Sequence, residues 1–104
     1  MTPDKVLGLL GLAVRARKVV SGEDTVLKEI RHHDGAVVFL ASDAGGNITK
    51  KIQNKASTYH CTIIDWYTAG ELSRAMGQPH RTVALITDRG FNQRFQEYYH
   101  TNKR

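Results

Sequence analysis

Val6, Leu9, Leu10 and Ala13 recur at three- and four-residue spacing, the rhythm that lines one face of a helix. Thr2, Pro3 and Asp4 stand in front of them. They offer a capping hydroxyl, a ring pre-set for the first helical position and an acid in the first turn, so a helix is predicted from residue 3 to about residue 16. Gly8 and Gly11 fall inside it, each costing about 1 kcal/mol of propensity relative to alanine, and close approach of another element is the expected compensation. A short strand is predicted at residues 18–20. Ser21 is expected to cap a second helix, with Asp24 completing a weak capping box and Val26, Leu27 and Ile30 facing inward.

Residues 36–41 form a continuous apolar run, the mark of a strand covered on both faces. Residues 42–47 read as a glycine-containing turn, with Asn47 the expected cap of a third helix carrying Ile48, Ile52, Ala56 and Tyr59 on one side. Residues 62–66 read as another buried strand. Thr68 and Glu71 make a capping box for a fourth helix bearing Leu72, Ala75 and Met76, which Gly77 stops and Pro79 keeps from resuming. A last strand at residues 83–86 and a last helix at about residues 91–99, with Phe95 inward, complete the pattern.

Strands thus alternate with helices throughout, which predicts an α/β fold with helices on both faces of a largely parallel or mixed sheet. No repeat, linker or low-complexity stretch interrupts it, so residues 1–104 read as one domain. In such sheets the carboxyl ends of the strands and the helix N-termini open onto a common edge where ligands collect. The loops at residues 20–24, 42–47 and 78–82 are expected there.

Charge sharpens the picture. Fifteen Lys and Arg against ten Asp and Glu leave a net charge of +5, which favours a polyanionic partner over a neutral one. A single cysteine, Cys61, excludes an internal disulfide and fits a reducing compartment. The apolar stretch at residues 6–14 resembles a secretion signal, but Asp4 spoils the basic leader and Arg15, Arg17 and Lys18 follow at once. No apolar run approaches the roughly 18 residues of a membrane span. A soluble, cytoplasmic protein with no membrane association is the expectation.

Two stretches could carry ligand chemistry. In the first, Gly22 leaves the backbone uncovered at a helix tip, Asp24 and Thr25 can reach base edges, and Lys28 adds a cation one turn on. A plain capped helix with an Asp24–Lys28 ion pair is the competing account. In the second, small residues at 44–46 lead to Asn47, with Lys50, Lys51 and Lys55 beyond, an anion-receptive turn or simply a solvated basic face. Arg15, Arg17 and Lys18, together with Arg31 and Arg81, could form a stripe along a nucleic-acid backbone. The five histidines and Cys61 show no zinc spacing, and no nucleophile–base pair appears. No metal, cofactor or catalytic residue is expected. Phe91, Phe95, Tyr98 and Tyr99 fall at helical spacing and read first as packing, second as stacking platforms.

Three stretches together resemble a known family: residues 9–24, residues 41–47 with Lys50-Lys51-Ile52, and Thr87-Asp-Arg-Gly-Phe91. They look like the short bacterial members of the kink-turn-binding ribosomal protein family, the large-subunit "seven-Ae and thirty-e" type. The likeness spans essentially the whole chain in order. It implies a three-layer α-β-α sandwich with a mixed, four-stranded sheet, no enzymatic activity, and binding to the kink-turn, a sharply bent RNA internal loop. Family members read it with a Gly-x-Asn-Glu-x-x-Lys stretch at the start of the second helix. Gly22 and Lys28 match that pattern, while Asp24 replaces the Asn and Thr25 the Glu. A second family contact, an apolar loop before the last strand, is polar and basic here at residues 78–82.

The resulting expectation is a non-catalytic, ribosomal-protein-like RNA binder that acts as a monomer, with the ribosome a candidate assembly. Gly22, Asp24, Thr25 and Lys28 would read bases, the Asn47 turn would complete the rim, and Lys18, Lys50, Lys51 and Arg81 would hold or steer the backbone. An RNA-recognition accessory to a separate RNA-modifying enzyme, and a protein–protein adaptor, are the alternatives. The adaptor would show an exposed apolar patch on the loop edge.

Overall fold

A computed structural model describes residues 4–101. Helix α1 (Lys5–Arg15) leads into strand β1 (Val19–Ser21), then helix α2 (Glu23–Glu29) with a 3₁₀ turn at Ile30–His32. Strand β2 (Val37–Leu40), helix α3 (Gly46–Thr58), strand β3 (Thr62–Ile64), helix α4 (Ala69–Met76), strand β4 (Val83–Ile86) and helix α5 (Arg89–Thr101) follow. The predicted alternation is present element for element among the described residues.

The helix caps differ from the sequence reading in instructive ways. Thr2 and Pro3 of the predicted start lie outside the described residues. Asp4 itself caps α1, its carboxylate accepting from the backbone N–H groups of Val6 at 2.8 Å and Leu7 at 3.1 Å. That carboxylate also accepts from the Tyr67 hydroxyl at 3.0 Å, which fixes the start of α1 against the chain entering α4. Ser21 is not a cap. It completes β1, and Gly22 takes the capping position of α2 with no side chain to bond the helix. Asn47 is likewise inside α3, whose cap is Gly45. At α4 the capping box forms as expected: Thr68 Oγ1 accepts from Glu71 N–H, and Glu71 Oε1 accepts from Thr68 N–H at 2.9 Å.

The four strands lie in the order β1-β4-β2-β3. Strand β4 runs antiparallel to both β1 and β2, and β3 lies parallel to β2. The sheet is therefore mixed rather than largely parallel. Every residue of β2 and β4 is buried, as their unbroken apolar runs require. On one face Val37, Phe39, Ala84 and Ile86 pack against α1, α4 and α5; on the other Val38, Leu40, Val83 and Leu85 pack against α2 and α3. This is the three-layer α-β-α sandwich. Phe39 and Phe95 meet edge to face, with ring centroids 5.1 Å apart, and each fully buried side chain of this size stabilises the fold by about 1.5–3 kcal/mol.

Asn92 joins the two central strands where their ladder ends. Its Oδ1 accepts from Val37 N–H at 2.8 Å, and its amide nitrogen donates to the Ile86 carbonyl at 3.0 Å. The two α1 glycines separate cleanly. A Cβ on Gly11 would stand 3.0 Å from the Ala75 carbonyl oxygen of α4, so glycine there permits close helix contact. A Cβ on Gly8 would meet nothing within 4 Å, and the expected compensation is absent at that position.

Gly8→Ala is therefore expected to raise stability in denaturant unfolding by about 0.5–1 kcal/mol, through helix propensity alone. Gly11→Ala forfeits the same gain to the Ala75 contact and should come out at or below wild type. Asn92→Ala leaves a buried strand N–H and a carbonyl without partners and should cost about 1–3 kcal/mol in the same measurement.

Candidate functional site

The carboxyl ends of β1 and β2 and the amino end of β4 meet at one edge. Gly22 N–H donates to the Val83 carbonyl at 3.1 Å, and Ala41 N–H to the Thr82 carbonyl at 2.7 Å. Ser42 N–H donates to the Tyr67 carbonyl at 2.8 Å, and Asp43 Oδ1 accepts from Ala69 N–H at 2.8 Å, which ties in the start of α4. The loops at residues 20–24, 42–47 and 78–82 are thus neighbours, as the sequence predicts.

Gly22 stands at the centre of this edge. Its backbone angles, φ 98° and ψ 146°, lie in a region that side-chain-bearing residues rarely enter. Nothing lies within 4 Å of where its Cβ would be, so the glycine serves conformation and leaves the helix tip open to an approaching ligand. Asp24 and Thr25 are exposed in the first turn of α2, and Lys28 is exposed one turn on. The Asp24–Lys28 ion pair of the competing account does not form among the described residues. Glu23 instead reaches across to α3, where Lys51 Nζ lies 3.5 Å from its Oε2. Such an exposed pair is worth well under ~1 kcal/mol, but it records that the α2 tip and the first turns of α3 face each other.

Gly45, Gly46 and Asn47 are exposed at the start of α3, with Lys50 on the same helix. Lys55 joins Asp24, Leu27, Lys28 and Arg31 around a shallow depression of about 490 Å³ between α2 and α3. Arg81 is half-buried. Its backbone N–H donates to Ser73 Oγ of α4 at 2.8 Å and its Nε to Gln78 Oε1 at 2.8 Å, so the loop before β4 is held to α4 and to itself by polar side chains.

One predicted site residue is not brought to this edge. Lys18 precedes β1, and its carbonyl accepts from Thr87 N–H after β4, which puts it at the opposite end of the strands. The stripe of Arg15, Arg17 and Lys18 with Arg31 and Arg81 therefore does not form: Arg81 lies at the loop edge, and Arg31, in the 3₁₀ turn after α2, lines the depression between α2 and α3. Glu23, paired with Lys51 across the two helices, is a contact that sequence reasoning did not single out.

Among the described residues no group of three or more His, Cys, Asp or Glu could hold a metal ion. Cys61 Sγ points to the carbonyls of His33 and Tyr59 at 3.5 and 3.7 Å, and partial burial pushes its thiol pKa up, with Asp34 adding to the effect against backbone hydrogen bonding from Ala36 and Gly35. A thiol so held is a poor nucleophile at neutral pH. Phe95 is buried, and Tyr99 stacks on Trp66 with centroids 6.0 Å apart, so α5's aromatics serve packing.

This fold is shared with known proteins. The model of the ribosomal protein L7Ae/L30e/S12e/Gadd45 family matches residues 4–94. The chain belongs to that family. It is 46% identical over 83 residues to the RNA-binding protein YlxQ of Bacillus subtilis (strain 168), covering 80% of this chain and 83% of that one. The RNA-binding protein YlxQ of Enterococcus faecium is 36% identical over 93 residues, 89% of each chain. Among solved structures, a Bacillus halodurans protein of unknown function superposes with a TM-score of 0.85 at 35% identity, covering 91% of this chain and 96% of that one. The Giardia lamblia 15.5kD RNA binding protein superposes with a TM-score of 0.80 at 16% identity, covering 97% and 90%, a likeness of fold alone.

Gly22→Ala is expected to cost about 1–3 kcal/mol in denaturant unfolding, from backbone strain and not from a clash. A loss under ~0.5 kcal/mol would mean the tip relaxes to an ordinary conformation.

Proposed function

We propose that this chain is a non-catalytic RNA-binding protein that takes structured RNA of the kink-turn type on the loop edge. The observation that carries the proposal is the convergence there of a glycine-opened helix tip, a second small-residue turn and the cations Lys28, Lys50, Lys51 and Arg81. Membership of a family with ribosomal members, and two close relatives named RNA-binding proteins, support the same reading.

Free N–H groups at the tips of α2 and α3 suit a sharply bent backbone, because they offer donors without side chains in the way. Gly22 lets the RNA come close. Asp24 can accept from a guanine amino or imino group, Thr25 can bond either kind of base edge, and Lys28 supplies the cation beside them. Lys50, Lys51 and Arg81 hold or steer phosphates, while Asn47 adds an amide at the rim. Lys18 has no part in this assignment. The adaptor alternative lacks its sign: among the described residues the exposed large hydrophobic is Leu12, on α1 and away from the loop edge. A cytoplasmic RNA, ribosomal or otherwise, is the partner proposed; no helix among the described residues is long and apolar enough to cross a membrane.

Lys28→Ala should weaken binding to a kink-turn RNA by about tenfold or more, against less than about threefold on a plain duplex, in parallel fluorescence titrations. Equal losses on both RNAs would reduce Lys28 to a generic charge. If four cations neutralise phosphates, log affinity should fall against log salt with a slope of about −3 to −4, and a flat profile removes the electrostatic argument.

A further inference from the structure

The sheet has a second edge, which the loop-edge reading leaves unused. There β1 and β2 begin and β4 ends: Thr87 N–H donates to the Lys18 carbonyl at 2.9 Å, and Thr62 N–H donates to the Ala36 carbonyl at 3.0 Å. Between them opens a cleft of about 430 Å³ whose walls include His32, His33, Thr87, Arg89 and Gln93. The stretch Thr87-Asp-Arg-Gly-Phe91, part of what marks the family, ends up on this edge without a role in the other.

Cations outnumber acids on this edge. Arg17, Lys18 and Arg89 are exposed, and none of them makes an ion pair among the described residues. Two acids share the edge, Asp34 in the cleft wall and Asp88 before α5. Asp34 lies 3.3 Å from His60 Nδ1, and Asp88 Oδ2 accepts from Phe91 N–H at 2.9 Å, at the start of α5. Arg17 also sits where glycine is the usual choice. Its φ is 62°, and Arg17 N–H to Val14 and Lys18 N–H to Ala13 form the paired bonds that close a helix through a left-handed residue. A non-glycine residue there strains the backbone by more than its cation gains from the helix dipole.

The cleft walls supply imidazole, amide, hydroxyl and guanidinium groups with one carboxylate, Asp34, and no apolar anchor of the kind that protein partners use. The geometry points to a second polyanion surface: Arg17, Lys18 and Arg89, with His33 and Gln93 beside them, take the phosphodiester backbone of a second RNA segment. Contacts of this type carry no sequence information, so the segment is any duplex or strand within reach. The domain then bridges two RNA segments across its own sheet. The inference rests on the loop-edge reading only in calling this surface the second.

The test immobilises a kink-turn RNA, loads it with protein, and measures capture of a labelled plain RNA duplex. Wild type should capture it. The triple variant Arg17→Gln, Lys18→Gln, Arg89→Gln should lose at least tenfold in capture while its affinity for the kink-turn stays within twofold. A thermal melt establishes that it folds. Unchanged capture by the triple variant overturns the proposal, as does capture competed away by poly-glutamate at lower concentration than by unlabelled duplex, which would make this an acidic-protein surface. If the immobilised RNA retains no protein, the loop-edge reading fails instead. Direct titration of the duplex then reads the second edge alone: a tenfold loss in the triple variant supports it, and no loss overturns it.

Discussion

Strand β4 lies between β1 and β2 and runs against both, and the candidate site follows from that direction. Because β4 is antiparallel, its amino end reaches the same edge as the carboxyl ends of its neighbours. The loop before β4 therefore lands beside the tips of α2 and α3. In an all-parallel arrangement that loop would open on the far side, and Arg81 would be a strand's length from Lys28. The same reversal delivers the residues after β4 to the opposite edge, next to Lys18. One strand direction thus sorts the chain's cations into two groups.

Holding β4 in place takes both layers of the sandwich. Its side chains alternate between the two cores, with Ala84 and Ile86 among α1, α4 and α5 and Val83 and Leu85 among α2 and α3. Neither layer can shift without uncovering apolar surface on one side. Hydrogen bonds outside the ladder add direction where burial is indifferent to it. Asn92 satisfies a β2 N–H and a β4 carbonyl with one amide, and Asp4 serves as helix cap and as acceptor for Tyr67 together. These bonds define where helices begin relative to strands, which burial alone leaves loose.

Against that rigid frame the loop edge is built from backbone rather than from large side chains. Gly22, Gly45 and Gly46 expose the starts of two helices, and the surrounding cations are mostly solvated on flexible stems. Such an edge suits a partner read partly by shape, since fixed N–H donors cost nothing to orient on binding and lysines adjust to phosphate positions. The departures from the pattern that the resemblance implies, Asp24 and Thr25, fall among the positions proposed to face bases, whereas Gly22 and Lys28 follow it. Base preference is the property those departures would alter.

Much of this was legible in the order of residues, for a physical reason. Local rules act within a few residues: apolar periodicity set the helices and strands, the Thr68–Glu71 box and Gly77 bounded α4, and unbroken apolar runs marked β2 and β4 as buried on both faces. Motif likeness added the family and its sandwich. What depended on distant partners was not legible. The caps of α1, α2 and α3 stand one or two residues from their predicted places: Asp4 has a partner 63 positions away in Tyr67, Gly22 takes a positive φ where α2 begins, and Gly45 caps α3 in an ordinary extended conformation that nothing local singles out. Gly8 and Gly11 look alike in sequence, yet only α4's position distinguishes them. Lys18 and Lys28 are equally basic on paper, and it took the antiparallel placement of β4 to put them on opposite edges of the sheet. Spacing along a chain encodes which face a residue takes; which end of the sheet it meets is decided by strands that pair across dozens of residues.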